Sequence, residues 1–355
     1  MSENSLPGRS KPRAIVYALS IGLISVLIVE LAARFIVDRS ESEPVVPAEV
    51  GRFDAELGWA NNPSTTASSS RTGYEIEYRI NAQGLRDDET SYEKPEGTYR
   101  IVLLGDSRTF GYGVPIEKHF SRLLEGYFRD VEVINMGVSG YGVDQELLYL
   151  RSAGLQYAPD LVIAYVAHYG NHRHMHSRRF GRDKPKFELE EADLVLTNQP
   201  VSRPQEPAAG PLRALHRWLR GHSRAYEMFR DGVYGLVYSR EAEDAVALRN
   251  SDAANLEDPE FRRMLYELGD RLVSAMHEES VTNGADFLLV TGISELHESS
   301  IAKGVPSLNV TAALDNPGFP LPGDLAHINE AGNGVLAWEI GSFLVANEVL
   351  PRRHW

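Results

Sequence analysis

Three short segments of this 355-residue chain carry side chains that could act together in chemistry. They are Gly105-Asp106-Ser107, Gly170-Asn171 and Asp324-Leu325-Ala326-His327. Between them they supply a hydroxyl, a side-chain amide, an imidazole and a carboxylate. A serine that attacks a carbonyl needs this set, because the hydroxyl requires a base, the base an orienting acid, and the oxyanion hydrogen-bond donors. The segments therefore predict acyl-transfer chemistry.

The roles within this set follow from the chemistry of each group. If Asp324 accepts the Nδ1 proton of His327, the Nε2 atom is left basic and can face Ser107. The oxyanion donors would be the Asn171 side chain and the backbone N–H groups of Ser107 and Gly140. Each motif alone is weak, because a serine after Gly-Asp is usually a turn residue and an isolated Asp-x-x-His is typical of a helix N-terminus with a surface histidine.

Apolar runs alternate with helical patterns from residue 99 onwards. The predicted strands span residues 99–104, 131–136, 161–166, 287–290 and 306–310. One helix is predicted at 261–280, and Asn329 is the predicted N-cap of a final helix through about Val345. Continuous apolar strands alternating with helices predict a doubly wound parallel sheet, whose ligand site lies beyond the carboxyl ends of its strands. Ser107 and Asn171 both follow such ends.

The rest of the chain divides by changes in pattern. Apolar and charged residues alternate from Tyr74 to Ile80, which predicts a half-buried strand, and the Ser/Thr-rich stretch 63–72 before it is expected to be a loop. The expected organisation is a cytoplasmic N-terminus at 1–13, a transmembrane signal anchor at 14–37, a linker at 38–50, a β-containing extension at 51–98, and the main domain at 99–355 with an insertion at about 172–257.

The N-terminal segment predicts export. Arg9, Lys11 and Arg13 precede a long apolar run, and acidic residues follow it, which places the N-terminus in the cytoplasm. A segment of this length can cross a bilayer. A cleaved signal peptide is the alternative, but Leu31-Ala32-Ala33 puts leucine where a small residue is preferred. Either way, the main domain is expected on the periplasmic or extracellular side of the bacterial inner membrane.

Composition excludes several classes. The formal net charge of −14 argues against a nucleic-acid partner, and the absence of cysteine excludes disulfides, thiolate metal sites and a cysteine nucleophile. His168, His172, His174 and His176 could converge on a metal, but no zinc signature is completed nearby. We therefore expect these histidines to form a polar pocket rim or a solvated loop, and we expect no metal or cofactor.

The insertion contains a basic helical pattern in an otherwise acidic protein. Its apolar residues recur near a helical period, and five arginines share the region: Arg213, Arg217, Arg220, Arg224 and Arg230. The simpler interpretation is a cover helix whose arginines are solvated. The alternative is a surface that binds anionic lipid head groups or an acidic glycan.

The order of the motifs resembles the SGNH/GDSL hydrolase family. Gly105-Asp106-Ser107, Gly140, Gly170-Asn171 and Asp324-x-x-His327 match its four blocks in order, over about residues 99–345. The resemblance implies a flavodoxin-like three-layer α/β/α sandwich with a central parallel sheet. It also implies the roles given above, with Ser107 as nucleophile, His327 as base, Asp324 as its orienter, and Ser107, Gly140 and Asn171 as oxyanion hole. The chain departs from the family at His172, where Asp is usual, and at Ile328, where Pro often stands.

The front of the chain is similar to membrane-anchored bacterial members of that family. Leu57-Gly58-Trp59, Arg79-Ile80-Asn81-x-x-Gly84-Leu85-Arg86 and Lys186-Phe187-Glu188-Leu189 carry this likeness. The expected activity is hydrolysis of carboxylic esters, with acetyl groups on an envelope or exported polysaccharide as the expected substrate. Two alternatives stay open: an O-acyltransferase that uses the same acyl-enzyme, and a non-catalytic glycan-binding or assembly protein on the same fold.

Overall fold

The computed structural model places most of the main domain and part of the N-terminal segment. The described residues are 11–36, 46–69, 75–168, 170–179, 182–191, 193–203, 215, 218–219, 222–223, 225–226, 258–322 and 324–355.

The described strands and helices are numbered here along the chain. The strands are β1 Gly51–Asp54, β2 Gly58–Asn61, β3 Thr65–Ser69, β4 Ile76–Ile80, β5 Tyr99–Gly105, β6 Val131–Asn135, β7 Leu161–Val166, β8 Arg178–Arg179, β9 Arg182–Asp183, β10 Lys186–Glu190, β11 Asp193–Thr197, β12 Asp286–Thr291, β13 Ser307–Asn309, β14 Pro320–Leu321 and β15 Asp324–Ile328. The α-helices are α1 Lys11–Ile36, α2 Ser107–Phe110, α3 Phe120–Gly126, α4 Val143–Ser152, α5 Pro259–Thr282, α6 Ser294–Ala302, α7 Thr311–Leu314 and α8 Glu330–Ala346. Short 3₁₀ segments are Ala48–Val50, Ile116–Lys118, Gly154–Tyr157, Gly170–Met175 and Arg352–His354.

A five-stranded parallel sheet forms the centre of the main domain. Its strand order is β13-β12-β7-β5-β6, and every pairing in it is parallel. When the five strands are numbered in chain order and read from the β6 edge, this order is 2-1-3-4-5, the flavodoxin-like arrangement. The predicted fold class is confirmed in this respect. The order reverses between β5 and β7, so the ligand site of such a sheet lies beyond the carboxyl ends of these two strands.

Helices cover both faces of this sheet. Along β5, Ile101 and Leu103 pack with α3 and α8 on one face, whereas Val102 and Leu104 pack with α4 and α5 on the other. Successive side chains of a strand point to opposite faces, so an unbroken apolar run is what a strand between two helical layers requires. The domain is a three-layer α/β/α sandwich, and its two hydrophobic cores hold β5 and β7 in place.

The sequence patterns located the central strands to within a residue or two but failed in the front extension. The stretch 63–72, expected to be a loop, contains strand β3, which pairs antiparallel with β4 from Thr65 opposite Ile80 to Ser69 opposite Ile76. Threonine has high strand propensity, and pairing with β4 outweighs the polar composition that suggested a loop. In β4 itself buried and exposed residues alternate as predicted.

By internal contacts the chain divides into two units, residues 1–42 with 206–248 and residues 43–205 with 249–355. In the first unit, α1 covers most of the predicted anchor, and Glu30 Oε2 accepts hydrogen bonds from Ser223 Oγ at 2.8 Å and Ala225 N at 3.1 Å. Within the described residues, none of the helices combines the length and apolar character that a membrane crossing requires. The anchor stays a prediction, and the five arginines of the basic pattern lie outside the described residues.

Candidate active site

Ser107 stands at the switch point of the sheet. Strand β5 ends at Gly105, and Asp106 caps helix α2 by accepting a hydrogen bond at Oδ1 from the backbone N–H of Arg108 at 2.9 Å. Ser107 is the first residue of that helix and is only 7% exposed. The apolar strand and the cap together fix the hydroxyl just beyond the carboxyl end of β5.

The structure brings Ser107, His327 and Asp324 together in one hydrogen-bonded array. The Ser107 hydroxyl donates to Nε2 of His327 at 2.8 Å, and Nδ1 of His327 donates to Oδ2 of Asp324 at 2.7 Å. Burial is the largest single influence and raises the pKa of Asp324, but the hydrogen bond and charge of His327 and the backbone N–H groups of Ala326 and His327 together outweigh it, so the pKa lies below its ordinary value. A carboxylate that stays ionised keeps the Nδ1 proton in place and leaves Nε2 free to accept a proton.

The histidine segment is held from outside the central sheet. Asp324 and His327 lie on β15, which pairs only with the short strand β14 among the described residues. Asn329 begins α8 directly afterwards, accepting a hydrogen bond from Gly332 N at 3.1 Å, as its sequence position predicted. The Arg108 Nε donates to the Ala326 carbonyl at 2.7 Å. The residue after Ser107 therefore ties the histidine segment to α2, the predicted nucleophile helix Ser107–Phe110.

The predicted oxyanion loop, residues 136–142 between β6 and α4, lies against the nucleophile helix. Val138 N donates to the Gly105 carbonyl at 3.1 Å, which joins the loop to the end of β5. A Cβ atom on Gly137 would stand 2.2 Å from the backbone nitrogen of Phe110, so only glycine permits this approach. Gly140 is buried in the same loop. Asn171 belongs to the 3₁₀ segment after β7, but its side chain lies outside the described residues, so the three-donor oxyanion hole stays a prediction.

Arg173 joins the three loops that meet at the switch point. Its Nη1 donates to Oδ2 of Asp106 at 2.6 Å and to the Tyr141 carbonyl at 2.9 Å. Burial is the largest single influence and raises the pKa of Asp106, but Arg173, His168 and Arg108 together outweigh it and hold that pKa below its ordinary value. Sequence reasoning missed Arg173, because an arginine two residues after Asn171 has no distinctive signal.

The front extension supports both the oxyanion loop and the nucleophile helix. Trp59 Nε1 donates to the Ser139 carbonyl at 3.0 Å, next to Gly140. The buried Arg86 guanidinium donates to the carbonyls of Phe110 at 3.2 Å, Val114 at 2.8 Å, and Gly111. Carbonyls at the end of a helix need such donors. Two motifs that sequence analysis identified only by likeness therefore position the site.

The histidine cluster is buried more deeply than predicted. His172 and His174 are 5% and 1% exposed, so the expectation of a solvated loop is wrong for these two, whereas His174 lines the small cavity at the switch point. The His172 ring packs edge-on against Phe261 of α5, and His174 Nε2 bonds the Leu265 carbonyl of the same helix at 3.0 Å. Helix α5 thus anchors the loop after β7. Within the described part of the chain, no group of three or more ligating side chains is placed to hold a metal.

A small cavity lies behind the loops at the switch point. Its volume is about 10 Å³, enough for about one water molecule. It is lined in part by Asp106, His168, Arg173 and Glu146. Burial lowers the pKa of His168 to about 4. Burial, then the charge of Asp106, raises the pKa of Glu146 well above its ordinary value, and its Oε2 has no hydrogen-bond partner among the described residues.

We predict that Glu146→Gln stabilises the protein at alkaline pH. A carboxyl whose pKa is raised by folding loses proton affinity on unfolding, so its contribution to stability is present at low pH and falls by roughly 1.4 kcal/mol per pH unit above its unfolded pKa. Glutamine has no such dependence. Urea unfolding at pH 4 should give equal stabilities, and at pH 8 the variant should be more stable by about 1 kcal/mol or more. The exposed Glu298 on α6 provides the control Glu298→Gln; a variant no more stable at pH 8 than wild type would contradict the assignment.

Comparison with known proteins finds matches among solved structures only. Neither a protein-family model nor a curated protein matches this sequence. Similar structures include a lipolytic protein of the G-D-S-L family from Desulfitobacterium hafniense DCB-2, with 14% identity, 71% of this chain and 100% of that chain covered, and a TM-score of 0.38. TesA matches with 14% identity, 71% and 99% coverage and a TM-score of 0.39. Esterase EstA from Pseudoalteromonas sp. matches with 14% identity, 70% and 98% coverage and a TM-score of 0.38.

The fold and the site together define a class. The sheet has the flavodoxin-like strand order, and a serine lies just beyond its first strand. This serine forms one hydrogen-bonded array with a histidine and an aspartate that lie before the last helix. These features accompany the four ordered motif blocks. This arrangement resembles the active site of SGNH/GDSL hydrolases.

Proposed function

We propose that this protein is a serine esterase that hydrolyses carboxylic esters through an acyl-enzyme. The observation that carries the proposal is the array Ser107–His327–Asp324, with hydrogen bonds of 2.8 and 2.7 Å. A serine hydroxyl is a weak nucleophile until a base within hydrogen-bond reach takes its proton. His327 Nε2 lies within that reach of Ser107, and Asp324 accepts the hydrogen bond of the other ring nitrogen, which supports these roles.

The proposed reaction has two stages. His327 Nε2 takes the hydroxyl proton as Ser107 Oγ attacks the ester carbonyl, and the oxyanion donors hold the tetrahedral intermediate. The intermediate collapses, the alcohol leaves with the proton from His327, and an acyl ester remains on Ser107. Water then gives its proton to His327 and attacks that ester, which releases the acid and restores the hydroxyl.

A labelling and turnover experiment tests the proposal. A fluorophosphonate probe should label the wild-type chain at Ser107, and p-nitrophenyl esters from acetyl to long acyl chains should be hydrolysed. Ser107→Ala should abolish both, whereas Ser299→Ala on α6 should change neither. Binding of an acetylated glycan without labelling or turnover would overturn the esterase and favour a binding protein. Acyl transfer to a sugar acceptor without net acid release would identify a transferase instead.

For the oxyanion hole we propose the backbone N–H groups of Ser107 and Gly140 and the side chain of Asn171. One donor of this kind is typically worth about 3 kcal/mol of transition-state stabilisation. Asn171→Ala is therefore expected to lower turnover by roughly 100-fold or more while leaving thermal unfolding unchanged. Unaltered turnover would remove Asn171 from the mechanism.

We propose that the enzyme is anchored in the inner membrane and acts outside the cytoplasm, on acetyl esters of envelope or exported polysaccharide. The support is the basic-then-apolar pattern of the N-terminal sequence. Membrane fractionation and protease treatment of spheroplasts test the location. The full chain should sediment with membranes and be digested from outside; a chain recovered in the cytoplasmic fraction would contradict the location without affecting the esterase assignment.

A further inference from the structure

Tyr112 covers one face of the catalytic imidazole. The two rings are stacked, with centroids 3.9 Å apart and an interplanar angle of 20°. The two ring nitrogens of His327 form hydrogen bonds with Ser107 and Asp324 in the plane of the ring, so other groups can contact the imidazole on its two faces. Tyr112 occupies one of these faces.

The backbone around Tyr112 is built to hold this ring in place. Tyr112 N donates to the carbonyl of Ser107 itself at 2.9 Å. The residues on either side, Gly111 and Gly113, have φ angles of +84° and +76°, which glycine adopts without strain. Gly113 N donates to the Tyr78 hydroxyl at 3.1 Å. The turn after the nucleophile helix is thus fixed both to the nucleophile and to strand β4.

The proposed reaction explains how the Tyr112–His327 stacking could contribute to catalysis. His327 becomes an imidazolium when it takes the serine proton, and the face of an aromatic ring attracts a cation. Among the described residues, Asp324 binds His327 directly, His168 interacts with it electrostatically, and Arg108 binds the Ala326 carbonyl next to it. Asp324 binds the charged imidazole through a hydrogen bond that lies in the plane of the ring. The Tyr112 ring instead contacts the face of the imidazole.

We propose that Tyr112 is a positioning residue for His327: its ring face fixes the plane of the imidazole and stabilises the imidazolium. The role rests on the proposed serine chemistry, because only that chemistry requires His327 to become charged. The stacking itself does not depend on the reaction. NMR of the His327 ring without substrate therefore distinguishes a failure of the Tyr112 proposal from a failure of the esterase proposal.

The first test measures the His327 ring by NMR in the full-length chain without substrate. The ring is assigned by comparing histidine-labelled wild type with His327→Gln. In wild type the stacked ring of Tyr112 should move the His327 Cε1 proton upfield. Tyr112→Phe should keep that shift and the pH midpoint of the His327 titration. Tyr112→Leu should lose the shift and move the midpoint to lower pH by roughly half a unit.

The second test is the pH profile of ester hydrolysis. Tyr112→Leu should lower kcat by roughly 10-fold or more with KM changed much less, because the imidazole is misplaced rather than the substrate. Its acid limb should move in the same direction as the NMR midpoint. Tyr112→Phe should stay within about 2-fold of wild type, as should Tyr127→Leu, which removes an exposed tyrosine on the surface.

The outcomes separate clearly. An unchanged Cε1 shift and titration in Tyr112→Leu would overturn the stacking, whatever the activity. A fall in kcat of the same size in the phenylalanine and leucine variants would also overturn the proposal, because the hydroxyl and not the ring face would then be responsible. Absence of ester hydrolysis in wild type, with the NMR differences as expected, would count against the esterase and leave the contact established.

Discussion

An Asp324→Asn variant is expected to lose about four orders of magnitude in turnover of an ester substrate while keeping its fold. In the native site Oδ1 accepts the Ala326 N–H at 2.9 Å and Oδ2 accepts the Nδ1 proton of His327 at 2.7 Å. Asparagine has one acceptor oxygen. If that oxygen keeps the Ala326 contact, the amide N–H faces Nδ1 and forces the proton onto Nε2. The imidazole then cannot accept the Ser107 proton.

Turnover of p-nitrophenyl acetate at neutral pH, together with far-UV circular dichroism, measures this effect. Ser107→Ala gives the floor of the assay, and Asp315→Asn provides a matched control on a nearby segment outside the array. Because the tautomer is at fault, fluorophosphonate labelling of Ser107 should slow to the same extent as turnover. Retention of a tenth or more of wild-type turnover would show that Asp324 does not orient His327.

The fold was predictable where the sequence pattern is local and strong. Strand β7 occupies the predicted residues 161–166, and α8 begins after its predicted cap, Asn329. These elements are set by apolar runs and by capping chemistry within a few residues. The stretch 63–72 was predicted wrongly because the stability of β3 comes from its partner β4, and pairing between strands cannot be read from the composition of one of them.

The candidate site was predictable only as an inventory of groups. Ser107, His327 and Asp324 were named from residue types and order, and the structure places them in contact. The residues that hold them in place were missed. Arg108 and Arg173 act across 218 and 67 residues of chain, and their contacts follow from which loops meet at the switch point rather than from any local pattern.

The front extension shows how much of the site is built outside the sandwich. Trp59 bonds the loop that carries Gly140, and Arg86 bonds the carbonyls at the end of the nucleophile helix. Arg86 also stacks on Tyr78, whose hydroxyl accepts from Gly113 beside Tyr112. The extension thus contacts both the predicted oxyanion loop and the turn that carries Tyr112, which gives a physical reason for its motifs to accompany the four motif blocks of the main domain.

A Lys184→Met variant is expected to lower the free energy of unfolding by about 3–5 kcal/mol, the largest stability effect we predict. The Lys184 ammonium pairs with Asp144, the second residue of α4, and both side chains are fully buried. It also donates to the carbonyls of Pro185 at 2.8 Å and His176 at 3.1 Å. Burial lowers the pKa of Lys184 and raises that of Asp144, so removing the ammonium leaves a carboxylate that folding strongly disfavours.

Chemical denaturation of a variant set tests this expectation. Replacing both partners, as Lys184→Met with Asp144→Leu, should recover much of the loss, because two apolar side chains replace two poorly solvated charges. Arg263→Met, which breaks an exposed pair with Glu267, should cost less than about 1 kcal/mol. A loss below about 1 kcal/mol for Lys184→Met would contradict the analysis. A large loss that the double variant does not recover would show that the contacts with the His176 and Pro185 carbonyls, not the buried carboxylate, dominate.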